Sequence, residues 1–244
     1  IRRQRQMCIR DRGTITHKAG RIAVSKATDI ILKNLDKDRE KEILKLVDFM
    51  EKYMDGEKLD VDFDGVRQKV SDKDSALNKY INKALDEIDP NVLKTIVLNL
   101  GFEAFLNGTK TIRKMREKYN CNVPWLILMD PTSACNLHCT GCWAAEYGNR
   151  LNLTFDEMDS VVTQGKELGI YLYMFTGGEP LVRKSDIIKL CEKHNDCAFL
   201  SFTNGTLVDE AFCEDMKRVG NLYLAISLEG FEACLLYTSP SPRD

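Results

Sequence analysis

Apolar positions recur at helical spacing through the first half of the chain. Ile30, Ile31 and Leu35 make one stripe, and Ile43, Leu44, Leu46, Val47 and Met50 a second, with lysine and glutamate between them. Asp55-Gly56 reads as the stop of the second helix, and the acidic stretch Asp60–Asp64 as a linker. A third helix is predicted from Asp72 to Ile88. Asp89-Pro90 offers a cap followed by proline at the first helical position. It opens an apolar helix from Val92 to Leu106 that Asn107-Gly108 should end, with a basic helix running on to Tyr119. After Asn120 the period shortens. Trp125–Met129, Tyr171–Phe175, Ala198–Phe202 and Leu222–Ser227 read as strands, separated by helices at Leu153–Leu168, Ser185–His194 and Val208–Val219. Thr154 with Glu157 three residues on is a capping-box pattern. Strands alternating with helices predict an α/β fold with a parallel sheet, preceded by an α-helical region.

Chemistry enters between the first two strands. Cys135, Cys139 and Cys142 stand in a C-x3-C-x2-C cluster. Three thiolates this close can hold three irons of a 4Fe–4S centre and leave the fourth iron without a protein ligand. A zinc site with His138 as fourth ligand is the bland alternative. Adjacent His138 and Cys139 would sit awkwardly on one tetrahedral ion. Gly177-Gly178-Glu179-Pro180 follows the second strand; glycines let backbone approach a ligand, and a carboxylate can receive an ammonium group. Thr203-Asn204-Gly205 and Ser227-Leu228-Glu229-Gly230 follow the third and fourth strands, where parallel α/β barrels carry their active sites.

With these motifs, the segment from Trp125 to about Gly230 resembles the radical S-adenosylmethionine (SAM) superfamily. The resemblance implies a partial (β/α) barrel with four of six strands present. It implies Cys135, Cys139 and Cys142 as the catalytic cluster ligands. It assigns Gly177, Gly178 and Glu179 to SAM, with Glu179 on its amino group. Thr203, Asn204, Ser227 and Glu229 are candidates for the ribose hydroxyls and carboxylate of SAM. The implied reaction is reductive cleavage of SAM to a 5′-deoxyadenosyl radical that abstracts hydrogen from a substrate. The implied partners are SAM, a one-electron reductant such as flavodoxin or ferredoxin, and an unknown peptide, lipid or small molecule. The family usually has an aromatic residue where Gly141 stands; Trp143 lies just beyond, and Tyr147 is a further candidate for substrate contact. A non-catalytic iron–sulfur or zinc interaction module is the alternative function, and a helical interaction domain before the sheet a third.

Composition narrows the options. The chain has 35 basic and 37 acidic residues, a net charge of −2. That disfavours a nucleic-acid binder, which carries a basic footprint. No stretch is long and apolar enough to span a bilayer, and Val92–Leu106 reads as a core helix in preference to one on a membrane surface. Clustered cysteines favour metal over disulfides, and so a reducing, cytoplasmic compartment. Cys121, Cys191, Cys197 and Cys213 read as small buried hydrophobes. The two ends stand apart. Met7-Cys8-Ile9-Arg10-Asp11 and Cys234-Leu235-Leu236-Tyr237-Thr238-Ser239 back-translate to the two arms of one inverted repeat, that of a transposon end used to tag DNA for sequencing. Residues 1–12 and 234–244 are therefore expected to be adapter-derived and set aside. The expected division is then a helical region over 13–120 and a radical SAM core over 121–233, cut short at its C-terminus.

Overall fold

A computed structural model describes residues 13–34, 37–54, 62–142, 144, 148, 150–228 and 230. The chain divides into two compact units, one up to Leu98 and one from Asn99. The division falls earlier than the change of texture at Asn120.

The first unit is helical: α1 Gly13–Asn34, α2 Arg39–Met54, α3 Phe63–Ser71, α4 Ala76–Glu87 and α5 Pro90–Thr95. Val24, Thr28 and Ile31 lie one turn apart on α1 and are buried, as is Val70 of α3. The Arg67 guanidinium pairs with Asp48 and Glu51 of α2 and with Asp64. The acidic linker is shorter than expected. Asp62 caps α3 by accepting the Gly65 N–H, so Phe63 and Asp64 already belong to a helix. The predicted third helix accordingly resolves into α3 and α4, with Ser75 capping the latter. Leu35 and Asp55-Gly56 lie outside the described residues.

The expected stop at Asn107-Gly108 is overturned. A π-helical segment, Ile96–Gly108, runs straight on into α6, Thr109–Tyr119, which ends at Asn120 in the left-handed conformation. Gly108 keeps right-handed helical angles. Its missing side chain serves packing instead: a Cβ there would lie 2.4 Å from the carbonyl oxygen of Gly169. Phe102, Ala104 and Leu106 are buried, so this segment is a core helix, as its sequence suggested. Asn99 donates from Nδ2 to the carbonyls of Asn195 and Cys197, and the Trp125 indole donates to the Ala104 carbonyl. The segment thus caps the amino ends of the strands.

The strands are β1 Leu126–Thr132, β2 Leu172–Gly177, β3 Ala198–Thr203 and β4 Leu222–Ile226. They pair in the order β1-β2-β3-β4, all parallel. The helices α7 Phe155–Glu167, α8 Lys184–Lys193 and α9 Glu210–Val219 lie between them in sequence. The fold is α/β, with the parallel sheet and crossovers of a partial β/α barrel. The core is built from Met129, Tyr173, Phe175 and Phe199 of the strands with Met158, Val162, Ile187 and Leu190 of the helices. Phe175 and Phe199 stack at 5.8 Å between centroids. β1 runs past its expected end because the register shifts between Met129 and Thr132, which lets Pro131 sit in the strand without a ladder donor. The Thr154–Glu157 capping box forms as expected at α7.

Candidate active site

The cysteine loop leaves the carboxyl end of β1 and lies against the turn after β2. Gly178 N–H donates to the Thr132 carbonyl at 2.9 Å, and Glu179 N–H to the Ala134 carbonyl at 2.8 Å. A Cβ on Gly178 would fall 2.3 Å from the Ala134 oxygen, and Gly177 has φ +101°. The paired glycines are thus needed to seat the backbone before Cys135, a reason beyond the ligand approach inferred from sequence.

Cys135 and Cys139 are half-buried and Cys142 is exposed; all three are free thiols. The Cys142 N–H closes a turn on the Cys139 carbonyl, with Gly141 between them in the left-handed region. Burial pushes the Cys135 thiol up, while the Leu137 N–H, donating to its sulfur at 3.4 Å, pulls it down. Glu179, Cys139 and Cys142 add smaller upward contributions. The donor set suits iron and sulfide: soft thiolates, with an N–H bond to one sulfur. Among the described residues no three His, Cys, Asp or Glu side chains close on a single ion. A cluster does not require it, because each thiolate takes its own iron. His138 is exposed.

Glu179, Thr203 and Asn204 are brought together in one network. Glu179 is only 2% exposed. Its Oε1 accepts from the Thr203 hydroxyl at 2.7 Å and from Leu181 N–H at 3.0 Å, and its Oε2 from Asn204 N–H at 2.9 Å. The carboxylate therefore ties the end of β2 to the end of β3. Asn204 reaches on to the cysteine loop: its Nδ2 donates to Asn136 Oδ1 at 3.0 Å, and Asn136 Nδ2 donates to Thr206 Oγ1 at 2.7 Å. Asn136 was missed in the sequence reading; its signal was only its place beside Cys135. Ser227 is exposed at the end of β4, where its N–H donates to the Thr203 carbonyl. Glu229, Trp143 and Tyr147 lie outside the described residues.

Of the other cysteines, Cys191 and Cys197 are buried core residues with thiols pushed up by burial. Cys121 is exposed and Cys213 half-buried, so the buried-hydrophobe reading fails for Cys121 and holds only in part for Cys213. Both sit where the fold meets solvent, Cys121 just past the left-handed Asn120 and Cys213 on α9.

Residues 129–234 match the family described as the Radical SAM superfamily. That stretch is similar to a radical SAM domain. The cofactors that go with such a domain are a 4Fe–4S cluster and SAM. The chain is 31% identical over 111 residues to an Fe-coproporphyrin III synthase of Methanosarcina barkeri, which covers 43% of this chain and 27% of that protein. It is 33% identical over 123 residues to a GTP 3′,8-cyclase of Desulforamulus reducens, covering 47% and 37%. A PqqA peptide cyclase of Bradyrhizobium diazoefficiens is 28% identical over 114 residues, covering 45% and 30%. The chain thus spans about a third of the length of these relatives. Among solved structures, Streptococcus suis SuiB bound to S-adenosylmethionine matches at 20% identity and a TM-score of 0.46, over 67% of this chain and 39% of that one. The names of these three relatives point to an iron coproporphyrin, to GTP and to a peptide. Among the described residues no helix is long and apolar enough to cross a membrane.

Proposed function

We propose that this chain is the catalytic core of a radical SAM enzyme, with Cys135, Cys139 and Cys142 holding a 4Fe–4S cluster. The observation that carries the reading is the seating of the cysteine loop on the Gly177-Gly178-Glu179 turn at the carboxyl ends of β1 and β2. When bound, the cluster and SAM supply a 5′-deoxyadenosyl radical for hydrogen abstraction. The chain's own residues orient and enclose. Gly177 and Gly178 present bare backbone beside the cysteine loop, and Glu179 holds that turn against β3. Thr203, Asn204 and Ser227 occupy the next two strand ends, and Glu229 follows in sequence; these are assigned to the polar groups of SAM. The Asn136–Asn204–Thr206 contacts hold the cysteine loop over the sheet. A one-electron reductant of flavodoxin or ferredoxin type and an organic substrate complete the reaction. The free thiols suit a reducing, cytoplasmic compartment. Anaerobic reconstitution tests the proposal. The chain should take up about four irons with matching sulfide and show a 4Fe–4S spectrum. Alanine at Cys135, Cys139 or Cys142 should each abolish it, and His138→Ala should leave it intact. A normal cluster in Cys139→Ala would refute the ligand set, and stoichiometric zinc in place of iron would favour the interaction module.

A further inference from the structure

The segment that carries the three cysteines is closed at its base by a short stem. It leaves through Pro131, Thr132 and Ser133 and returns through Leu151, Asn152 and Leu153, with an antiparallel bridge between Thr132 and Asn152. Ser133 N–H donates to the Leu151 carbonyl at 2.8 Å, and Leu153 N–H to the Pro131 carbonyl at 3.1 Å. Leu151 N–H donates to Ser133 Oγ at 3.0 Å, across a separation of 18 residues. Closing a loop of that length has an entropic cost that the stem contacts must offset. Arg183 spans both sides of the stem. It is the last residue of the helical turn Pro180–Arg183 that follows Glu179. Its Nη1 donates to the Leu153 carbonyl at 2.9 Å and to the Pro131 carbonyl at 3.3 Å. Its Nε and Nη2 are held by Asp186 Oδ2 at 2.8 and 2.7 Å. The Arg183 side chain is only 21% exposed.

The stem stands where β1 leaves its regular ladder. The β1–β2 register shifts between Met129 and Thr132, and the Pro131 carbonyl there accepts from Leu153 and Arg183. On the same strand the Thr132 and Ala134 carbonyls accept from Gly178 and Glu179 N–H. The backbone just before Cys135 is therefore held from two sides, by the turn after β2 and by the stem. A guanidinium presents its donors in a fixed planar fork, which suits two carbonyls and a carboxylate at once. A lysine ammonium is a compact charge on a flexible chain and does not reproduce that geometry. Resting on the reading of Cys135, Cys139 and Cys142 as cluster ligands, we propose that Arg183 is a positioning residue for the cluster. Its guanidinium closes the stem of the cysteine loop and so fixes where the thiolates stand. Asp186 orients the guanidinium and balances its charge.

The test compares wild type, Arg183→Lys and Arg183→Ala in the full chain. Amide hydrogen exchange before any iron is added reads the stem itself. Exchange at Ser133 and Leu153 N–H should quicken about tenfold or more in both variants. In Arg183→Lys, which keeps a cation for Asp186, the core amides of Phe175 and Phe199 should exchange as in wild type. Anaerobic reconstitution then reads the cluster. Both variants should take up iron and sulfide about tenfold more slowly, and their reduced cluster should give a heterogeneous EPR signal where wild type gives a single species. Unchanged exchange at the stem in both variants would overturn the proposal. So would a rise spread evenly over stem and core, which marks general destabilisation. Quickened stem exchange with wild-type uptake and EPR signal would overturn it too, because the stem would then not position the ligands. If Arg183→Ala does not fold, Arg183→Lys decides alone. A wild-type chain that takes up no iron would defeat the cluster reading instead, and the exchange comparison would still decide whether Arg183 closes the stem.

Discussion

At Glu179 three donors from two strand ends meet one buried carboxylate. A carboxylate can accept all of them, whereas an amide must turn a donor toward at least one. Glu179→Gln should therefore cost about 1–3 kcal/mol and lower the melting temperature before any ligand is added. A Glu179→Gln chain as stable as wild type would show that the network carries no weight. The glutamate could be singled out in sequence from its place after two glycines. That its oxygens face Thr203 and Asn204 could not, since those residues lie on another strand and only the sheet register brings them near.

Among the elements, the helix through Gly108 offers a paired test. Gly108→Ala would drive a Cβ to 2.4 Å from the Gly169 oxygen, backbone against backbone. The expected loss is about 1–3 kcal/mol. Gly101 lies in the same segment with nothing within 4 Å of its would-be Cβ, and Gly101→Ala should stabilise by about 0.5–1 kcal/mol. Thermal melts should move in opposite directions; two shifts of the same sign would contradict the packing argument. A second test concerns α7 and α8. Burial holds His194 below the usual imidazole range, against the opposing pull of Asp159, whose carboxylate accepts from His194 Nε2 at 2.9 Å. The unfolded chain therefore takes up the proton more readily than the folded one. Stability from this site is complete above the ordinary imidazole value near 6.5 and is lost as pH falls below it. Asp159, held low chiefly by Lys193, loses its contribution only further down, in the carboxylate range. The melting temperature should fall between pH 7.5 and 5.5, and His194→Gln should flatten that fall. An unchanged slope in the variant would clear His194.

For the molecule as a whole, the open flank of the sheet is the consequential feature. Among the described residues β4 pairs only with β3, and Ile226 and Leu228 are exposed at its end. Leu128 and Phe202 are exposed elsewhere on the sheet. An apolar parallel edge is prone to pair with another copy. Size-exclusion chromatography should show association that grows with concentration, and Ile226→Lys should shift the chain toward monomer. A wild-type chain that remains monomeric when concentrated would remove the edge as a hazard.

Sequence alone determined the α/β alternation, the parallel sheet, the Thr154 cap and the cysteine loop, because each depends on neighbours within a few residues. Period, capping pairs and C-x3-C-x2-C spacing are local properties. Tertiary structure decided the rest. Asn107-Gly108 carries an ordinary helix-stop signal, yet the helix continues because Gly108 is needed bare against Gly169, a residue far along the chain. The Gly177-Gly178 pair looked like a ligand turn and proved also to be the seat of the cysteine loop, through contacts to Thr132 and Ala134. That the Glu179 carboxylate is bound up by Thr203 and Asn204 depends on burial and on the register between strands. Those are set when the chain packs, and no local pattern of residues encodes them.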